Sequence, residues 1–160
     1  MPDLLKTLNN LPKGLCGVVF RHDHVPDRAR LAKQVARLCR QRRLALVIAG
    51  DRGLAFTLRA GRHLRGGHGP APHSLATASA HTPAERVRAR RNGVTLAFVS
   101  PVFPTESHKG APALGVHRFA AIARHAPGRA AALGGITGQL VRRLPRRSCQ
   151  AIGAIAALVA

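Results

Sequence analysis

Hydroxyl groups beside a cation are suited to holding a phosphate, and the stretch SPVFPTESHKGAPALG, Ser100 to Gly115, brings them together. Thr105 and Ser107 supply hydroxyls, Lys109 a fixed charge and His108 an imidazole. Pro101, Pro104 and Gly110 halt regular structure, so this segment is a loop behind the apolar run LAFVS. Other polar or glycine residues also stand directly behind apolar runs. Arg21 follows CGVVF, Asp51 follows LALVIA, Ser79 and His81 close LATAS, and Gly134 and Gly135 follow Ala130 to Leu133. Groups placed at the carboxyl ends of parallel strands share one face, which is where chemistry sits in such sheets. The distribution reads as an active-site face.

The elements that must position these groups follow from periodicity. Strands are expected at Cys16 to Phe20, Leu44 to Ala49, near His63 and Leu64, at Leu75 to Ser79, Leu96 to Ser100, Ala130 to Leu133 and Ala151 to Ile155. Between the first two, Leu31, Val35 and Leu38 fall on one helical face, with Pro26 at the expected first helical position. Thr82, Pro83 and Glu85 form a capping box with proline at the first turn, and Gly93 closes that helix. A further helix is centred on Phe119 and Ile122, and Thr137 is placed to cap a short one. Strands and helices that alternate in this way imply a parallel α/β sheet, doubly wound or closed into a barrel.

Composition limits the function classes. The chain has 160 residues, enough for one domain with a real core, and 46% of them are hydrophobic. There is no Trp or Tyr, which removes the stacking surface of a base-binding module. A net charge of +20 must attract anions, yet the arginines are spread over every helical segment and read as a solvated surface rather than a nucleic-acid groove. Cys16, Cys39 and Cys149 are odd in number and never form a CxxC pair, so neither a disulfide framework nor a zinc site is indicated. No apolar run reaches the length of a membrane span and no signal-peptide pattern follows Met1, so a soluble, cytoplasmic protein is expected. His63, His68 and His73 are spaced by neither helical nor strand geometry and read as loop residues.

TASAHT, SPVFPTESHKG, ALGGIT and AIGAI, in this order, resemble the thiamine phosphate synthase/TenI family of (β/α)8 barrels. The resemblance implies one barrel domain over residues 1–160, apparently lacking the family's first strand, because PDLLKTLNNLP corresponds to the first barrel helix. It implies thiamine biosynthesis: condensation of hydroxymethylpyrimidine pyrophosphate with thiazole phosphate, releasing pyrophosphate with the help of Mg2+. Arg21 would then face the pyrophosphate, Asp51 would bind Mg2+, and Ser79 and Lys109 would contact the leaving group. Thr105 and Ser107 would donate to phosphate oxygens with His108 beside them, so that the Ser100–Gly115 loop holds pyrophosphate, and the backbone at Gly134, Gly135 and Gly153 would approach the thiazole phosphate.

Departures from the family pattern accompany the likeness. Val19 and Asp23 replace the Gln and Lys that flank the arginine, and Gly66, Gly67 and His68 lie where a second metal carboxylate is expected. His108 stands at the lysine position with Lys109 next to it, and Gly153 replaces a serine. Weak or absent synthase activity and weakly bound Mg2+ are expected in consequence. The alternative within the family is a thiazole tautomerase or a non-catalytic thiazole-phosphate binder, with His81 as the proton carrier in the tautomerase. A basic nucleic-acid-binding module is the alternative from another class. A missing strand would leave apolar edges open, which favours a homodimer.

Overall fold

Seven short runs, most of them rich in small or β-branched residues, form strands in the computed structural model, which describes residues 4–69, 75–105, 110, 112–125 and 128–154. The strands are β1 Gly17–Phe20, β2 Ala45–Ala49, β3 Gly61–Leu64, β4 Ala76–Ala80, β5 Leu96–Val99, β6 Arg129–Ala132 and β7 Ala151–Ile152. Five α-helices are described: α1 Leu4–Asn10, α2 Arg28–Arg42, α3 Arg52–Thr57, α4 Pro83–Arg91 and α5 Gly115–Arg124. A 3-10 turn at Leu140–Arg143 stands between β6 and β7.

Every strand pairs in parallel with the next, in the order β1 to β7. The sheet is a curled half-barrel, and β1 and β7 are its outer strands. Among the described residues the sheet is therefore open between the strands at Val18 and Ala151.

Register decides which side chains face the helices. Phe20 and Ile48 pack on Ala32, Val35, Ala36 and Cys39 of α2, and Val99, Ala130 and Ala132 pack on Phe119 and Ile122 of α5. A smaller cluster joins Leu64 and Ala78 to Ala89 of α4. Burying each large member stabilises the fold by roughly 1.5–3 kcal/mol. The opposite, concave face carries the alternate residues: Ala49 pairs with His63, His63 with Thr77, Ser79 with Phe98, and Phe98 with Ala131.

The helix starts show where local chemistry wins. Helix α2 begins at Arg28, two residues beyond the position expected from Pro26. Asp27 is its cap, at φ 54, with its carboxylate accepting from the Arg30 N–H at 3.4 Å. Asp tolerates the left-handed conformation better than most residues and can satisfy an orphan amide, so it overrides proline here. The capping box of α4 forms as expected: the Glu85 N–H donates to Thr82 Oγ1 and the Thr82 N–H to Glu85 Oε2, both at 3.2 Å. Thr82→Ala is expected to cost about 1 kcal/mol in denaturant unfolding. An unchanged midpoint would show that packing of Arg86 and Ala89, both buried, holds α4 without its cap.

Candidate functional site

The concave row joins three polar side chains that are distant in sequence. His63 Nδ1 lies 2.9 Å from Thr77 Oγ1, and its Nε2 lies 3.1 Å from Ser79 Oγ. The ring is tilted toward Phe98 at 6.0 Å. Burial first, and then the charges of Arg21 and Arg65, together push the His63 pKa down to about 4. At neutral pH the imidazole is uncharged, so one ring nitrogen donates and the other accepts, which orients the Ser79 hydroxyl. The reading of His63 as a loop residue is thus corrected: it is interior to β3. His68 does lie outside the strands, with Nε2 at 2.9 Å from Arg88 Nη1, and His73 falls outside the described residues.

At the carboxyl ends of β1, β2 and β3 a charged network closes over the row. Arg21 follows β1 and is exposed. Asp51 follows β2 and caps α3, its Oδ1 accepting from the Leu54 N–H at 2.8 Å. Its Oδ2 accepts from Arg28 Nη1 at 3.2 Å. Arg28 also donates from Nη2 to Asp23 Oδ1 at 3.3 Å, and the second Asp23 oxygen pairs with Arg65. Neither Arg28 nor Arg65 was singled out in the sequence, because nothing in local spacing distinguishes them among so many arginines.

The ends of β4 to β7 hold the remaining groups. His81 Nδ1 lies 2.7 Å from the Ser100 carbonyl, which can only accept, so Nδ1 carries the proton. In the neutral ring Nε2 is then a free base. Gly134 and Gly135 receive the loop behind β5: the Val102 N–H donates to the Leu133 carbonyl at 2.9 Å and the Phe103 N–H to that of Gly134 at 3.1 Å. The Gly153 N–H donates to the Ala132 carbonyl at 2.7 Å. Thr105 is half-buried in the same loop, while Ser107, His108 and Lys109 lie outside the described residues.

The sequence pattern of the thiamine monophosphate synthase family matches residues 3–158. The chain belongs to that family. Its fold is similar to that of a thiamine phosphate pyrophosphorylase from Pyrococcus furiosus, with a TM-score of 0.83 and 21% identity over 98% of this chain and 82% of that one. At that identity the likeness speaks for the fold, a barrel-type parallel sheet. No curated protein sequence matches the chain.

Mg2+ is the ion that family membership brings into question, and the donors present do not fit it. Both oxygens of Asp51 already accept from N–H groups, one of them cationic. A magnesium ion at about 2.1 Å from Oδ2 would displace a guanidinium held by three further acceptors: Asp23, Ala49 and His22. Among the described residues no group of three metal-binding side chains comes together. For this family member the carboxyl face is thus two groups of residues. One holds Arg21, Arg65, His63 and Ser79; the other holds His81, Thr105 and the Gly134–Gly135 turn.

Proposed function

We propose that this chain catalyses the thiamine phosphate synthase type of condensation, with pyrophosphate held at the ends of β1 to β4 and thiazole phosphate toward the ends of β5 to β7. The observation that carries this reading is the family match over residues 3–158, beside polar groups behind strands in both halves of the sheet: Arg21 and Arg65 in one, His81 and Thr105 in the other. A reaction joining two phosphorylated substrates needs two such places. In the reaction the bond between the pyrimidine methylene carbon and the pyrophosphate oxygen breaks. The thiazole nitrogen then forms the new C–N bond to that carbon, and pyrophosphate leaves as the anion.

The chain's own groups serve this chemistry by position and charge. Arg21 offers an always-charged donor fork to the departing pyrophosphate. Ser79, oriented by neutral His63, adds a hydroxyl donor to a phosphate oxygen. Stabilising charge as it develops is the main task, and one donor of this type is worth about 10²–10³ in rate. Catalysis is therefore expected to be slow relative to a site with two metal carboxylates.

A second reading is favoured by one observation, the fixed tautomer of His81. With Nδ1–H held by Ser100, its Nε2 can take a proton from carbon, as thiazole tautomerisation requires. Paired assays separate the two readings. Thiamine phosphate formation that drops about 100-fold in Ser79→Ala and little in His81→Ala supports the condensation. Thiazole aromatisation that drops about 100-fold in His81→Ala supports the tautomerase. A chain showing neither product overturns both.

A further inference from the structure

Arg28 braces the ends of the first two strands. It donates through Nε to the His22 carbonyl at 2.9 Å, through Nη2 to the Ala49 carbonyl at 2.6 Å and to Asp23, and through Nη1 to Asp51. Its guanidinium also lies over the Phe20 ring, 5.5 Å from the centroid. With its side chain only 16% exposed, it is a fixed cation between two carboxylates.

Asp23 passes the arrangement on. Its other oxygen holds Arg65, whose side chain remains 56% exposed. The pair crosses directly over Gly50, where a Cβ would lie 3.3 Å from Asp23 Oδ1 and 3.5 Å from Arg65 Nη2. The absence of a side chain at Gly50 leaves the space that the pair occupies. Arg65 has five N–H donors and, among the described residues, gives one to Asp23, so it retains capacity for a ligand. It directly follows β3, two residues after His63. The paired charges balance, Arg28 and Arg65 against Asp23 and Asp51, and the exposed Arg21 behind β1 adds one positive charge to this end of the sheet.

We propose that Arg65, aimed by Asp23 and braced through Arg28, takes the place of a divalent cation and makes this end of the site a metal-independent receptor for phosphate or pyrophosphate. The proposal rests on the reading of the carboxyl face as a phosphoryl site, but it concerns binding and not turnover. A guanidinium matches two phosphoryl oxygens at once, and Asp23 limits the rotamers it must give up on binding.

The experiment is titration of the whole chain with pyrophosphate, by calorimetry in EDTA and again with magnesium. Binding that persists in EDTA is expected. Arg65→Gln should weaken it by about tenfold, as loss of a charge-assisted bond does. Arg118→Gln, which removes the same charge from an exposed position on α5, should change it by less than about twofold. The effect of Asp23→Asn should vanish in the Arg65→Gln background, because neighbours acting through one contact are not additive. Binding seen only with magnesium, or Arg65→Gln behaving like Arg118→Gln, overturns the proposal. An Asp23→Asn effect undiminished in the double variant overturns the aiming role. Metal-independent binding without thiamine phosphate formation would leave this proposal standing and remove the condensation.

Discussion

Gly135→Ala is expected to lower the melting temperature by about 10 °C. Gly135 sits at φ +63, in the left-handed region, where a Cβ alone costs roughly 1–2 kcal/mol. That Cβ would also lie 2.3 Å from the Pro104 carbonyl oxygen and 2.8 Å from that of Phe103. Both are backbone atoms and cannot swing aside, so the loop behind β5 must move as a whole. Overpacking of this kind adds about 1–3 kcal/mol. Moving the loop would strain the Phe103 N–H bond to Gly134 and displace Thr105, so phosphate affinity should fall together with stability. Gly138→Ala is the control: its Cβ would meet nothing within 4 Å. Thermal unfolding of both variants decides the matter. A Gly135→Ala melting temperature equal to that of Gly138→Ala would mean that the loop does not rest on this turn.

The same glycines illustrate what the sequence could and could not reveal. ALGGIT reads at once as a turn after a strand, and the turn is there. Its first use is structural, since the room made by Gly134 and Gly135 is filled by the Pro101–Pro104 backbone. Local signals of this kind were legible: the strands fall within about two residues of their expected bounds wherever they are described, and the Thr82–Glu85 box is present. What spacing could not reveal was register. His63 and Ser79 are sixteen residues apart, and only the parallel pairing of β3 with β4 sets the imidazole against the hydroxyl. Asp51 was legible as a polar group at a strand end, but its partner Arg28 was not, because Arg28 is reached through the fold rather than the chain. Charge abundance hid it. In a sequence with 26 basic and 6 acidic residues, arginines carry little information singly, whereas the position of each carboxylate carries much. Asp23 and Asp51 mark the network for that reason.

Stability is expected to fall as pH drops from about 6.5 to about 4, and His63 is the group that causes it. Buried at 6% exposure, its imidazole has a pKa lowered to about 4, against an ordinary value of 6.5. Above pH 6.5 both folded and unfolded chains hold it neutral, so its environment carries no penalty there. Between the two values the unfolded chain binds a proton that the folded chain refuses, and stability declines with pH across that window. The full difference amounts to about 3 kcal/mol, reached near pH 4. Carboxylates contribute their own acid loss, so the comparison must be with a variant lacking only this titration. His63→Gln keeps polar atoms near Thr77 and Ser79 without a titrating ring. It is expected to start less stable at pH 7 and to lose less between pH 7 and 4.5. A direct check is the titration of the His63 ring protons by NMR, with an expected midpoint near 4. A midpoint near 6.5 would mean that the ring is open to water and that burial does not hold it neutral against Thr77 and Ser79.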